Sequence, residues 1–345
     1  LRLKPGFNRV SLIPLSASEI RIAIAGMGRM GNYHRMALEQ LASGQTENYY
    51  KWGISDQFSK IKICGICDAH ADNLTPLPRF ERFESVETML NSTRPDILIV
   101  ATPTKTHKDI ALGSLKRGIH TFVEKPIVTA QAELKELIEA SENSNVRLMA
   151  GHVERYNPVC IKIRTLLQNA QPVAQRYSFL RTQSHSSRIE DDIVVDKVIH
   201  DLDLALCFFG KICAIEPKDI KRVEGKICEA LFSVRHESGT VGTLFVSWIA
   251  DVQAKRREVE IFQGGHTWKG DFVAKRLWVD DMEILCQVDG MISPANNQIK
   301  DELVDFIAYA NEISLTQPVR PLLTLEEIIE STKWLEFIVK NVTRG

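Results

Sequence analysis

An α/β fold in two parts is what this sequence predicts, and three observations carry that expectation. The first half alternates short apolar strand-like runs with helix-spaced segments, the pattern of a parallel sheet covered by helices. A glycine-rich turn, Gly26-Met27-Gly28-Arg29-Met30-Gly31, falls between the first strand and the first helix. From about residue 173 the rhythm changes to longer strand-like runs joined by glycine turns, which predicts an α+β second domain on a mostly antiparallel sheet.

Taken in order, residues 1–18 hold three basic residues and then Val10-Ser11-Leu12-Ile13-Pro14-Leu15. That apolar part is too short and broken for a good signal peptide, and the segment reads as an N-terminal extension. Residues 20–25 form an apolar strand. Over 30–42, apolar or aromatic residues at 30, 33, 37 and 41 give a helical spacing. Strands follow at 61–67, 97–101, 120–123 and 147–151. Helices are predicted around 86–90, over 109–116 with Gly118 as its stop, and over 130–142, which is rich in strong helix formers. In the second half, 173–182, 228–237, 240–249 and 258–263 read as strands. Ser238-Gly239 and Gly264-Gly265 supply the positive φ that hairpin turns need. Two helices close the chain, the second opening on Thr324-Leu325-Glu326-Glu327, which fits a capping box. The boundary falls near 149–157, giving a cofactor domain over 19–150 and a substrate and oligomerisation domain over 151–345.

Composition agrees. The chain has 345 residues, about two domains at ~150 residues each. Basic residues number 43 and acidic residues 44, for a net charge of −1. This excludes a strong positive field for nucleic acid or an anionic membrane. Hydrophobic residues at 44% and charged residues at 25% suffice for real cores. No apolar run reaches the ~18 residues of a membrane-spanning helix. Seven scattered cysteines read as reduced thiols in a cytoplasmic protein. Cys64 and Cys67 form a C-x-x-C inside a strand-like run. With no second pair or nearby histidines to complete a metal site, they read as small buried side chains, and no metal is expected.

The glycine turn carries the first chemistry. In a G-x-G-x-x-G the first glycine, Gly26, allows a tight turn. The second, Gly28, lets a pyrophosphate approach the backbone, and the third, Gly31, lets helix and strand pack closely. The helix N-terminus, with Arg29 and Met30 in its first turn, offers free N–H groups to phosphates. This is the fingerprint of a Rossmann fold. Asp68 ends the second strand, where it would accept hydrogen bonds from the adenosine ribose and repel a 2′-phosphate. The expected cofactor is therefore NAD, with NADP disfavoured, although His70 is a possible phosphate partner. The long interval to Asp68 is explained by a polar and aromatic insertion over 44–60. Thr102-Pro103-Thr104-Lys105-Thr106-His107 follows the strand at 97–101, at the sheet edge where open α/β sheets bind ligands. His107 could contact cofactor there or simply neighbour a helix cap. Glu124-Lys125-Pro126 ends the next strand at the same edge.

On these motifs, with Gly151-His152-Val153-Glu154-Arg155-Tyr156-Asn157-Pro158 and Asp196-Lys197-Val198-Ile199-His200-Asp201-Leu202-Asp203, the sequence resembles the Gfo/Idh/MocA oxidoreductases from about residue 19 onward. The resemblance implies a Rossmann domain, Thr102, Pro103, His107, Glu124 and Lys125 around the cofactor, and a second domain with an open sheet. One side of that sheet would carry the substrate and the other an oligomer interface, in a homodimer or homotetramer. By position, Lys125 matches the family's active-site lysine, and Asp196 and His200 its D-x-x-x-H pair. Their chemistry suits oxidation of a secondary alcohol. A neutral imidazole can take the hydroxyl proton, and an ammonium can stabilise the developing alkoxide. Asp196, four residues before His200, lies on the same face if the segment is helical. Arg155 and Asn157 are expected at substrate or nicotinamide ribose. Asp201 and Asp203 are expected to brace the His200 helix. Arg181, His185 and Arg188 could meet an anionic group or be solvated.

The leading expectation is thus an NAD-dependent dehydrogenase of a sugar, cyclitol or sugar derivative. The second-domain motifs look most like the nucleotide-linked amino-sugar branch. An inositol or free-sugar dehydrogenase is the alternative within the class. A dinucleotide-binding regulator without turnover is the alternative outside it; the presence of Lys125, Asp196 and His200 argues against that.

Overall fold

The computed structural model describes residues 19–44, 60–168, 174–184, 191–250, 255–286, 297–311 and 322–342. The N-terminal extension, the insertion over 45–59, His185 and Arg188 lie outside the described residues. The chain forms two compact units, one of residues 1–153 and 295–325, the other of 154–294 and 326–345.

The first unit is built on six parallel strands: β1 (Ile20–Ala25), β2 (Ile61–Cys67), β3 (Arg82–Phe83), β4 (Ile97–Val100), β5 (His120–Glu124) and β6 (Leu148–Gly151). Their order is β3-β2-β1-β4-β5-β6, the doubly wound arrangement in which the chain turns back at β1 and β4. Ile22 and Ile24 of β1 are at most 1% exposed, each worth about 1.5–3 kcal/mol of burial. The connecting helices are α1 (Arg29–Ala42), α2 (Ala71–Leu74), α3 (Val86–Thr93), α4 (Thr104–Leu115) and α5 (Gln131–Asn143). The helix expected over 109–116 begins five residues earlier, directly after Pro103, whose fixed φ suits a helix start.

The apolar face of α1 holds Ala37 and Leu41 of the expected spacing but not Tyr33. Tyr33 and Met36 are 46% and 47% exposed, while Gly31, His34, Ala37, Leu38 and Leu41 are buried. Gly31 sets this rotation, because a Cβ there would stand 1.8 Å from the Gly26 carbonyl oxygen. Only glycine lets the helix turn this side inward, and positions 34, 38 and 41 follow it. Cys64 and Cys67 are buried on β2. Desolvation is the main cause that pushes the Cys67 thiol up to about 12, which leaves it a poor nucleophile.

The second unit carries an eight-stranded sheet: β7 (Arg176–Thr182), β8 (Ile212–Val223), β9 (Lys226–His236), β10 (Val241–Ser247), β11 (Arg256–Gln263), β12 (His266–Asp271), β13 (Arg276–Val279) and β14 (Met282–Ile284). The order is β14-β13-β12-β11-β7-β10-β9-β8. All neighbours are antiparallel except β7 and β10. A 3-10 turn (Val153–Tyr156), helix α6 (Pro158–Gln168), a π-helical segment (Val194–Val198) and helix α7 (Ile199–Phe209) precede or interrupt these strands. Alternate residues Tyr177, Phe179, Phe232, Val234, Leu244 and Val246 join Leu202, Leu206, Phe209 and Leu335 in one core. Tyr177 stacks on Phe209 at 4.2 Å, seating α7 on the sheet.

Two helices end the chain, α8 (Gln298–Ala310) and α9 (Leu325–Val342). They part company: α8 packs on α1 within the first unit, and α9 joins the core of the second. The expectation that everything after residue 151 forms one domain misses this return. Phe306 meets Phe122 of β5 at 5.7 Å and Tyr309 stacks under Arg147 at 4.5 Å, contacts that sequence spacing cannot reveal.

Candidate active site

The glycine turn joins β1 to α1. Gly26 has φ +92°, and a Cβ there would sit 2.5 Å from the Ala101 carbonyl oxygen, so only glycine fits. At Gly28 the opposite holds, with nothing within 4 Å of a Cβ position. Gly28 is the N-cap of α1, no side chain caps the helix, and its first turn holds no acidic residue. The first N–H groups of α1 are thus offered to an anion. Gly28 and Arg29 are exposed and Met30 half-buried. Asn32 Nδ2 donates to the Met27 and Gly28 carbonyls at 2.8 and 3.1 Å, holding the loop from behind. Asp68 ends β2 beside this loop. Its carboxylate accepts from Met27 N at 2.7 Å and His70 N at 2.9 Å. Each oxygen keeps a further lone pair for a ribose hydroxyl. An uncapped helix start, an open Gly28 and an adjacent carboxylate fit a dinucleotide.

Past β4, Thr102 and Thr104 are half-buried and Pro103 is exposed. Thr106 Oγ1 donates to Thr102 Oγ1 at 2.7 Å and stiffens the turn. His107 is turned into the protein interior. It is 1% exposed, with Nδ1 2.9 Å from the Pro126 carbonyl and Nε2 2.8 Å from the Thr102 carbonyl. Glu124 is likewise turned inward, 5% exposed, with Oε1 2.7 Å from His34 Nε2 and Oε2 accepting from Lys125 N at 3.2 Å. Burial alone would raise its pKa; the His34 hydrogen bond and charge, with Lys125, outweigh this and hold it below the usual carboxylate value. Lys125 itself is half-buried.

In the second unit the D-x-x-x-H pair spans a change of helix type. Asp196 lies in the π-helical segment and His200 in the first turn of α7. Such π turns recur at functional sites. Asp196 pairs with Lys197 at 3.0 Å, with side chains 16% and 7% exposed. Lys197 is not among the residues the sequence singles out. His200 is 7% exposed. On either side of it, Asp201 and Asp203 are gripped by arginines. Arg181 Nε and Nη2 reach Asp201 at 2.6–3.0 Å, and Arg155 Nε and Nη2 reach Asp203 at 2.8–3.1 Å. These two clamps fix the start of α7.

Arg155 therefore directs its guanidinium to carboxylates of the protein. It is 2% exposed and also pairs with Glu327 at 2.8 Å. Burial would lower its pKa, but the Asp203 charge outweighs it and keeps the group firmly protonated. Asn157, 1% exposed, is a structural link as well. Its Oδ1 accepts from Val159 N at 3.1 Å, opening α6, and its Nδ2 donates to the Phe272 carbonyl at 2.9 Å. Arg181 lies on β7 and faces the core. Glu154, which sequence reading missed, accepts from Arg181 at 3.2 Å and pairs with Arg257. Burial would raise its pKa, yet the two arginines hold it below the usual value. The signal was available: an arginine at an inward strand position requires buried carboxylates. Among the described residues no group of His, Cys, Asp and Glu could hold a metal ion.

Residues 20–152 match a family profile described as an oxidoreductase family with an NAD-binding Rossmann fold. Over 296 residues the chain is 25% identical to the UDP-N-acetylglucosamine 3-dehydrogenase of Acidithiobacillus ferrooxidans, covering 83% of each. The solved structure of that protein overlays with a TM-score of 0.75 at 22% identity, covering 94% of this chain and 98% of the other. The myo-inositol 2-dehydrogenase of Thermotoga maritima is 22% identical over 263 residues, 70% of this chain and 72% of its own. The WlbA dehydrogenase of Bordetella pertussis, solved with NADH and UDP-GlcNAcA, overlays with a TM-score of 0.73 at 18% identity, covering 96% and 97%. Over residues 20–152 the chain is thus similar to the Gfo/Idh/MocA oxidoreductases in their NAD-binding Rossmann fold.

Proposed function

We propose that the chain is an NAD-dependent dehydrogenase of a secondary hydroxyl on a sugar derivative, with a nucleotide-linked amino sugar as its first candidate substrate. The observation that carries this is the joint presence of the uncapped glycine-loop helix, Lys125 at the end of β5 and the rigidly held His200. The likeness over 83% of its length to a UDP-N-acetylglucosamine 3-dehydrogenase supports the substrate class. The first unit is assigned the cofactor and the second the substrate.

NAD, when bound, supplies the hydride acceptor. The loop N–H groups after Gly28 bind its pyrophosphate, and Asp68 takes the adenosine ribose. The Lys125 ammonium stabilises the charge that builds on the substrate oxygen. His200 accepts the hydroxyl proton, and Asp196 orients the reacting groups. His107, Glu124, Arg155 and Asn157 are assigned positioning roles, because each is buried and bonded within the protein.

Self-association is part of the same reading. Opposite its helices, the eight-stranded sheet carries half-buried Leu180, Leu231, Phe245, Phe262 and Trp278. We assign this face to a homo-oligomer contact, and the unpaired cysteines to a reducing cytoplasm.

The test is NAD reduction followed on UDP-N-acetylglucosamine, myo-inositol and free hexoses. Turnover of the nucleotide sugar with Lys125→Ala inactive is the expected result. Turnover of myo-inositol alone would move the chain to the cyclitol branch, in line with its 22% identity to such an enzyme. Failure of every substrate with intact NAD binding would point to a regulator.

A further inference from the structure

Lys125 stands between two residues that buried histidines hold. On its N-terminal side, Glu124 is bonded to His34 at 2.7 Å. On its C-terminal side, the Pro126 carbonyl lies 2.9 Å from His107. We propose that His34 and His107 are positioning residues for Lys125, two clips that fix the backbone from which the lysine side chain projects. The proposal rests on the catalytic reading of Lys125.

His34 has little other reason to be polar. It is fully buried on the apolar stripe of α1, between Gly31, Ala37 and Leu38. Its Nδ1 makes no hydrogen bond, and its ring packs edge-on against Phe122 at 5.3 Å. A leucine would serve the packing, and a buried polar group with one bond is costly unless that bond is needed. The bond goes to the carboxylate whose other oxygen accepts the Lys125 N–H at 3.2 Å. The bonds run from His34 to Glu124 to the lysine backbone.

His107 ties the same segment to a second one. Its two ring nitrogens face the carbonyls of Pro126 and Thr102. Carbonyls can only accept, so the ring is the donor: to one of them as a neutral imidazole, to both only as an imidazolium. Thr102 begins the turn after β4 and Pro126 follows the end of β5. The clip therefore joins the lysine segment to the neighbouring turn at the carboxyl edge of the sheet, where parallel α/β sheets bind their ligands. A displacement of about 1 Å in a group that meets the reacting atoms can cost on the order of a hundredfold in rate.

The experiment compares His34→Gln with His34→Asn, and His107→Asn and His107→Gln with His107→Leu. Glutamine can reach Glu124 from position 34; asparagine is too short. Hydrogen–deuterium exchange of the peptide covering 122–128 is read first, since it needs no substrate. His34→Asn and His107→Leu should raise uptake there while the β1 peptide stays unchanged. Unchanged uptake at 122–128 overturns the clips. With UDP-N-acetylglucosamine and NAD, His34→Asn should lower kcat by about ten- to a hundredfold. The NAD dissociation constant should stay within about threefold, and His34→Gln should restore most of kcat. Equal kcat in His34→Asn and His34→Gln, with Lys125→Ala inactive, overturns the positioning role. A fully active Lys125→Ala instead overturns the catalytic reading of the lysine, while the exchange result still decides whether the clips exist.

Discussion

Replacing Gly31 by alanine would place a methyl carbon 1.8 Å from the Gly26 carbonyl oxygen. Both atoms belong to backbone or to a Cβ, so no rotamer relieves the contact. Restoring an ordinary 3.4 Å contact means that α1 and the glycine turn separate by about 1.6 Å. That displacement carries the helix N–H groups out of hydrogen-bond range of a pyrophosphate seated on the turn. Two hydrogen bonds to a charged acceptor, at about 1.5–3 kcal/mol each, amount to about 3 kcal/mol or more. The NAD dissociation constant should therefore rise by at least about a hundredfold. Titration calorimetry with NAD and a thermal melt on the same sample measure both consequences. Gly31→Ala should lose affinity and melt earlier. Gly28→Ala is the control. Its Cβ meets nothing within 4 Å and its φ is −66°, so it should melt like the parent yet bind NAD weakly, because its methyl occupies the approach to the helix start. A Gly31→Ala protein with parental melting and NAD affinity would refute this account of the loop.

Two further outcomes follow from buried carboxylates of the two units. Asp203→Ala removes the doubly bonded carboxylate from buried Arg155, which should cost about 3–5 kcal/mol and lower Tm by roughly ten degrees, read by calorimetry. Glu154 and Glu124 sit below their ordinary value of 4.5. The stability they contribute is complete above pH 4.5 and is lost as pH falls through their lowered folded values. Tm should thus drop steeply on acidification below that point, with a shallower slope in Glu154→Gln.

The parallel sheet was legible because buried strands such as 97–100 are continuous apolar runs and the glycine turn marks its own place between strand and helix. The strands that escaped sequence reading lie at the ends of the second sheet. In β8, Ile212–Val223, most residues from 216 onward are exposed, and Pro217 stands at a register shift, so no clean alternation survives. The candidate site was legible as residue types and less so as roles. The glycines and Asp68 follow from motif chemistry, whereas Lys125, Asp196 and His200 stand out only through the family resemblance. Arg155 and Asn157 read as ligands because polar residues near a motif suggest binding, but their partners, Asp203 and Phe272, are 48 and 115 residues away in sequence. His34 was hidden on a helix whose rotation depends on one backbone contact at Gly31.

The central claim is that hydride leaves a carbon bearing a secondary hydroxyl and that Lys125 and His200 make the transfer possible. The direct measurement uses UDP-N-acetylglucosamine deuterated at its ring carbons, NAD, and mass spectrometry of the reduced cofactor. The expected result is reduced cofactor carrying one deuterium with the parent protein, and none formed by Lys125→Ala or His200→Ala. Reduced cofactor without deuterium, or equal formation by the Lys125→Ala protein, would contradict the account.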